Sequence, residues 1–148
     1  MTGDSTSDQP MILIARELPV IDRGAGVKTK PLVGKWNTSA AQLTTGTTAF
    51  EPGTAIPQHT HNVEETVMLL EGEATVFIGD KRYDIVAGDV SWIPADVPHY
   101  FMNRGAGPMR IYWVYAAREV TRTISATGQT IEHLSEADRN LATKPPTG

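Results

Sequence analysis

The sequence predicts an all-β domain, a sandwich or barrel, on three observations. Short runs rich in β-branched and aromatic residues recur along the chain. Gly, Pro and Asp punctuate these runs at close intervals. Only one stretch carries a helix signal. Many short strands with regular turn signals are the pattern of a sandwich or barrel. The length of 148 residues suits one domain.

Taken in order, "MTGDSTSDQP" is polar and aperiodic, and residues 1–10 read as a disordered arm. "MILIAR" (11–16) is the first candidate strand. Its apolar edge needs a partner, so it is expected to pair with a second chain in a homodimer. "QLTTGTTAF" (42–50) and "ETVMLLE" (65–71) follow. "ATVFIG" (74–79) and "KRYDIV" (81–86) should form a hairpin that turns at Gly79 and Asp80. "VSWIP" (90–94), "HYFMN" (99–103), "MRIYWVYA" (109–116) and "VTRTI" (120–124) complete the set. In "SEADRN", Ser135 is placed to cap a short C-terminal helix, with Asp138 three residues on. "ATKPPTG" ends the chain, and residues 141–148 read as a flexible tail. That leaves residues 11–140 as one domain, with no internal repeat.

The bulk numbers exclude several function classes. Lys and Arg number 13 against 17 Asp and Glu, a net charge of -4 with no basic block, so nucleic acid is not an expected partner. No helix-turn-helix segment accompanies the barrel. No apolar run approaches the ~20 residues of a membrane span. The N-terminus lacks a basic region followed by an apolar stretch, the form of a secretory signal. There is no cysteine, hence no disulfide and no thiolate metal site. A soluble, cytoplasmic protein is the expectation.

The chemistry concentrates in "GTAIPQHTHNVEE" (53–65). On an extended strand, residues two apart point to one side, so His59 and His61 can aim both rings at one point. Glu65 reaches the same point if "NVE" turns the chain into the next strand. Imidazoles with a carboxylate suit a divalent first-row metal. A lone His-x-His beside acids is common on surfaces, so the rest of the chain must decide.

The rest of the chain supplies more fixed positions. Gly53, His59, His61, Glu65 and Gly72 form one series; Gly88, Pro94, His99 and Asn103 form a second. With their spacings these resemble the two signature motifs of the cupin superfamily, G-x5-H-x-H-x3,4-E-x6-G (here 53–72) and G-x5-P-x-G-x2-H-x3-N (here 88–103). The departure is Asp96, where the family favours glycine; Asp tolerates left-handed backbone well, so the turn survives. The spacer, 73–87, suits a single hairpin.

The resemblance implies a single jelly-roll β-barrel of two facing antiparallel sheets. It implies one divalent transition-metal ion per chain (Fe, Mn, Ni, Co, Cu or Zn), held by His59, His61, Glu65 and His99. It also implies a metal-dependent small-molecule enzyme, leaning to a non-haem Fe(II)-type dioxygenase. The alternatives are a non-redox metal-dependent lyase, isomerase or decarboxylase, and a small-molecule binding or sensing module without turnover. Alternation places Glu65, Val67 and Leu69 inward and Thr66 and Met68 outward. Glu64 falls on the outer face, solvated or supporting the site from outside. Asn103 is expected to bond backbone at the rim, His133 to lie on the surface, and Arg110 to be a surface charge at a strand end. Trp92, Tyr112, Trp113 and Tyr115 are expected first as core and second as pocket lining.

Overall fold

The computed structural model describes residues 7–145. Twelve strands build two six-stranded sheets. In chain order they are β1 (Ile21–Asp22), β2 (Val27–Pro31), β3 (Thr44–Phe50), β4 (His59–His61), β5 (Glu65–Glu71) and β6 (Glu73–Ile78). Then come β7 (Lys81–Val86), β8 (Val90–Ile93), β9 (His99–Asn103), β10 (Met109–Tyr115), β11 (Thr121–Ile124) and β12 (Thr130–Glu132). One sheet runs β1-β2-β3-β10-β5-β8 and the other β12-β11-β4-β9-β6-β7. All strand pairs are antiparallel. The architecture is the jelly-roll barrel the sequence predicts. Consecutive strands often lie in opposite sheets, so β4 and β9 of one sheet face β5 and β10 of the other across the core.

The core follows the two-residue period of the strands. On β5, Glu65, Val67 and Leu69 are buried while Thr66, Met68 and Leu70 are exposed. On β10, Met109, Ile111, Trp113 and Tyr115 point inward. On β9, His99, Phe101 and Asn103 do. The Trp113 indole lies over Gly46 of β3, its ladder partner; any Cβ at Gly46 would strike that ring. The Trp113 Nε1–H donates to Thr48 Oγ1 at 2.9 Å. The β6–β7 hairpin closes with Ile78 opposite Lys81 and Gly79 at φ +61°, as a two-residue turn with glycine first requires. Asp96 takes φ +64°, the left-handed conformation a glycine would supply.

Two expectations need correction. Met11–Arg16 is not a strand. Met11 and Leu13 are half-buried and Ile12 and Ile14 exposed, so the period of two is kept. The segment joins no ladder, and Ala15–Glu17 winds into a 3-10 turn. The C-terminal helix is likewise a single 3-10 turn, Glu136–Asp138. Ser135 gives no side-chain cap there; Asp138 Oδ2 instead accepts from the Leu134 N–H at 2.7 Å. Of the expected arm and tail, residues 1–6 and 146–148 lie outside the described residues. Ser7 makes a single bridge to Thr38, and Thr143 one to Ala55. Among the described residues, no helix is long and apolar enough to cross a membrane.

Candidate metal centre

Strand register assembles the site. His59 lies opposite His99 in the β4–β9 ladder, and β11 flanks β4 so that Arg122 lies opposite His61. Glu65 begins β5 in the facing sheet, paired with Tyr115 and Ile93. Metal-ligating atoms of His59, His61 and His99 all lie within 4.8 Å of one another. All three histidines and Glu65 are buried.

The ring nitrogens show which tautomer the fold enforces. His59 Nδ1 lies 2.6 Å from the Pro57 carbonyl, His61 Nδ1 3.0 Å from that of Thr121, and His99 Nδ1 2.9 Å from that of Val97. A carbonyl only accepts, so each Nδ1 carries the proton and donates it. Each Nε2 is therefore left with an exposed lone pair, as in metal-ligating histidines oriented by an outer partner. Glu65 Oε1 approaches His99 Nε2 to 2.7 Å, and Oε2 lies 3.7 Å from His61 Nε2. His61 Nε2, His99 Nε2 and Glu65 Oε1 are buried without a hydrogen-bond partner. With this tautomer, the short His99–Glu65 approach sets two acceptors face to face. Orphaned buried acceptors are costly, and a cation between them removes that cost. The three-histidine cluster fits a metal ion on the chemistry of its own donors.

The electrostatics agree. Burial, and after it Arg122 and the other two histidines, push His59 well below the usual imidazole range. Burial lowers His61 to about 3, with Glu65 opposing and Arg122 adding. The His59 and His61 rings stay neutral and their lone pairs free. Burial alone would raise the Glu65 carboxyl. The attraction of His99 and His61 when protonated, and of Arg122, outweighs it and lowers Glu65 below its ordinary value, hence ionised.

A cavity of about 40 Å³ opens beside these groups. Its apolar wall includes Phe50, Val67, Phe101, Ile111 and Trp113, and its polar wall His59, Glu65, His99, Arg23, Arg122 and His133. Tyr115 also lines it, its ring 4.5 Å from that of His61, and burial keeps the phenol protonated.

Several expectations meet their outcome here. Glu64 faces outward and accepts from the Trp92 indole at 2.9 Å. Asn103 bonds backbone, donating to Phe50 O and Gly107 O at 2.9 and 2.8 Å. Arg110 is exposed near Glu71. Trp113 and Tyr115 are both core and cavity wall, whereas Trp92 is 63% exposed and is neither.

His133 corrects the sequence reading: it is buried, not on the surface. Its ring packs 5.1 Å from Trp113 and 5.0 Å from Tyr115, centroid to centroid, and burial drives it well below the imidazole range. The signal was the alternation in "TIEH", where Ile131 and His133 share the inner face of β12 and its continuation. Arg122 was equally readable, because Val120, Arg122 and Ile124 share a face in "VTRTI". Arg23 and Asp138 had no such signal. Asp138 Oδ2 lies 3.3 Å from Arg23 Nη2, and Oδ1 lies 3.2 Å from Arg122 Nε. Arg23 also donates to Thr29 Oγ1 and to the Asp138 carbonyl. Burial, with Arg122 adding, lowers its guanidinium to about 10.

The family model for the cupin domain matches residues 46–115, which hold His59, His61, Glu65 and His99. The chain carries a cupin domain. Its barrel superposes on a sugar phosphate isomerase of the cupin superfamily from Silicibacter pomeroyi with TM-score 0.65. That match has 18% identity and covers 88% of this chain and all of that one. Oxalate decarboxylase from Bacillus subtilis gives TM-score 0.68 at 16% identity, covering 95% of this chain and 34% of that one. At such identities these likenesses show the fold alone. The HTH-type transcriptional regulator PuuR of Escherichia coli is 31% identical over 105 residues, 70% of this chain. The cupin chain spans about half of that regulator's length, 56%.

Proposed function

We propose that this cupin is a metal-dependent enzyme acting on a small molecule, with His59, His61, Glu65 and His99 holding one divalent transition-metal ion. The observation that supports it is the set of inward lone pairs. Three imidazoles are fixed as Nδ1–H tautomers, and a buried carboxylate shares their focus without a hydrogen bond at Oε1. When bound, such an ion supplies a Lewis-acid centre with open positions for substrate, water or dioxygen.

The chain's own residues do the rest. The Pro57, Thr121 and Val97 carbonyls hold the rings in orientation. Glu65 lowers the net charge of the centre. Phe50, Val67, Ile111 and Trp113 exclude bulk water from one side of the cavity. Fe(II)-type dioxygenase chemistry leads our reading, and non-redox lyase, isomerase or decarboxylase chemistry starts from the same site. Elemental analysis with anaerobic reconstitution tests the centre: one ion per chain is expected, lost in His99→Ala. A folded wild type that binds no first-row metal overturns the reading. An oxygen electrode then separates the two chemistries.

The regulator match favours a second reading, a sensing module. It moves ahead if small molecules bind tightly to the metal-loaded protein and none is turned over.

For assembly we propose a homodimer, through a different surface from the one the sequence suggested. Met68, Leu70, Val90 and Trp92 form an outward apolar row, with Met68 opposite Val90 on β5 and β8. A second copy would cover it. Light scattering should give twice the chain mass, and Trp92→Glu with Val90→Lys should give a monomer. A monomeric wild type refutes this.

A further inference from the structure

We propose that the molecule bound beside the metal centre is a small carboxylate, received by the guanidinium of Arg122. The inference rests on the metal reading above and names the ligand class for that site.

Charge is the first argument. Arg23 and Arg122 are 1% and 2% exposed, and both line the cavity that holds His59, Glu65 and His99. The buried acids of this region are Asp138 and Glu65, so two positive side chains meet two negative ones. A divalent ion leaves the pocket two positive charges in excess. An anion offsets that excess; a neutral ligand does not. Buried charge without a counter-charge is disfavoured strongly enough that proteins pair it.

Satisfaction is the second argument. Arg23 donates through Nη1 and Nη2 to Thr29 Oγ1 and the Asp138 carbonyl, and only its Nε is buried without a hydrogen bond. Arg122 has two such nitrogens. Its Nε lies 3.2 Å from Asp138 Oδ1 without forming a hydrogen bond, and both Nε and Nη1 are buried without a partner. Nε faces Asp138, so the Nη1 N–H groups are the ones left for a ligand, and a carboxylate is the charge-matched acceptor for them. Asp138 and Arg23 serve as positioning residues that hold Arg122 in place.

Size is the third argument. The cavity is about 40 Å³, and roughly 10–15 Å³ suffices for one water. An ion and a molecule of a few heavy atoms fill it. Sugar phosphates and extended peptides exceed that space.

Acetate, oxalate and malonate, with acetamide and inorganic phosphate as controls, should be titrated calorimetrically into metal-loaded and metal-free wild type, Arg122→Met and Arg122→Lys. Metal content and melting temperature are measured for every sample. At least one carboxylate should bind the loaded wild type while acetamide does not. Affinity should fall at least about tenfold in Arg122→Met, in line with the loss of a charge-assisted contact. Arg122→Lys should recover part of it at unchanged metal content. Loaded wild type that binds no carboxylate overturns the proposal. So does equal binding by Arg122→Met, or phosphate or acetamide binding as tightly as the carboxylates. If no metal loads at all, the metal reading fails separately. The carboxylate proposal is then judged on the metal-free titration, where Arg122-dependent binding supports it and Arg122-independent binding or none overturns it. Should Arg122→Met not fold, the comparison of wild type with Arg122→Lys decides: an unchanged affinity overturns the proposal.

Discussion

Glu65→Gln should reverse its effect on stability when metal is added. In the metal-free protein the Glu65 carboxylate is buried, and Oε1 meets His99 Nε2 at 2.7 Å without a hydrogen bond. The Val97 carbonyl holds the His99 proton on Nδ1, so the contact sets acceptor against acceptor. A glutamine amide turned toward His99 donates an N–H into that lone pair. One net hydrogen bond is worth about 0.5–1.5 kcal/mol, and a neutral amide is cheaper to bury than a carboxylate. The opposing loss is attraction to His99, His61 and Arg122; at pH 8, above the usual imidazole range, it reduces to Arg122, whose ion pair is with Asp138 rather than with Glu65. At this chain length about 1 kcal/mol moves the melting temperature by roughly 3–4 °C. Metal-free Glu65→Gln should therefore melt a few degrees above metal-free wild type. With metal the order inverts. The variant removes one negative charge from the ion's immediate surroundings, and even outer partners of metal ligands are worth about 10–100-fold in affinity. The assay is calorimetry with chelator and with saturating Mn(II) at pH 8, above the usual imidazole range. Metal content is measured on each sample so that lost binding is not read as lost fold. A variant that melts below wild type without metal, or retains metal equally well, refutes the argument.

Three further outcomes follow. His59, His61 and His133 have folded values far below the imidazole range, so the unfolded chain binds more protons below about pH 6.5. The stability they contribute is complete above that pH and is lost as pH falls toward the folded values. By pH 5, His61 alone, lowered to about 3, costs about 2 kcal/mol. Metal-free melting temperature should drop steeply from pH 6.5 to 5, and a flat profile contradicts the burial of these rings. Asp138→Asn strands two buried guanidinium groups, and breaking a buried pair costs about 3–5 kcal/mol. Denaturant unfolding should show that loss, and a change below 1 kcal/mol would mean that the network is not closed in solution. His133→Leu should keep full metal content and flatten the pH profile by about one proton, whereas parallel metal loss would make His133 a ligand.

The fold was legible because strand period and motif spacing agreed. "ETVMLLE", "KRYDIV" and "HYFMN" became β5, β7 and β9 without shift. The cluster was legible because His-x-His on a strand leaves little choice of direction. What the sequence hid is physical in each case. "MILIAR" has the alternation of a strand, yet alternation reports only which side is buried, not whether a ladder partner exists. β2 was missed because "VKTKP" alternates Val and Thr with lysine, and its buried face is half polar. The Arg23–Asp138 pair joins residues 115 apart, a contact no local pattern announces. Arg122 and His133 failed for another reason. They sit on inward faces that the period marks correctly, but polarity argued against placing them there.

That last failure shows how the site is held together. β11 pairs with β4 so that Arg122 stands opposite His61 and Ile124 opposite His59. The Thr121 carbonyl in the same strand fixes the His61 tautomer. One ladder thus sets both the histidine orientation and the position of the guanidinium. A slip of one residue in β11 would turn Arg122 to solvent and bring Thr121 or Thr123 inward. Asp138 resists the slip, because it lies 3.2 Å from Arg122 Nε and 3.3 Å from Arg23 Nη2, and its Oδ2 also accepts from the Leu134 N–H. The C-terminal turn is therefore a brace for the site although it contributes nothing to the cavity wall. A buried ionic network of this kind is poor evidence for stability in itself, since apolar packing of equal volume often does as well. Its value here is register: it fixes which face of β11 looks inward, and with it the polar end of the pocket.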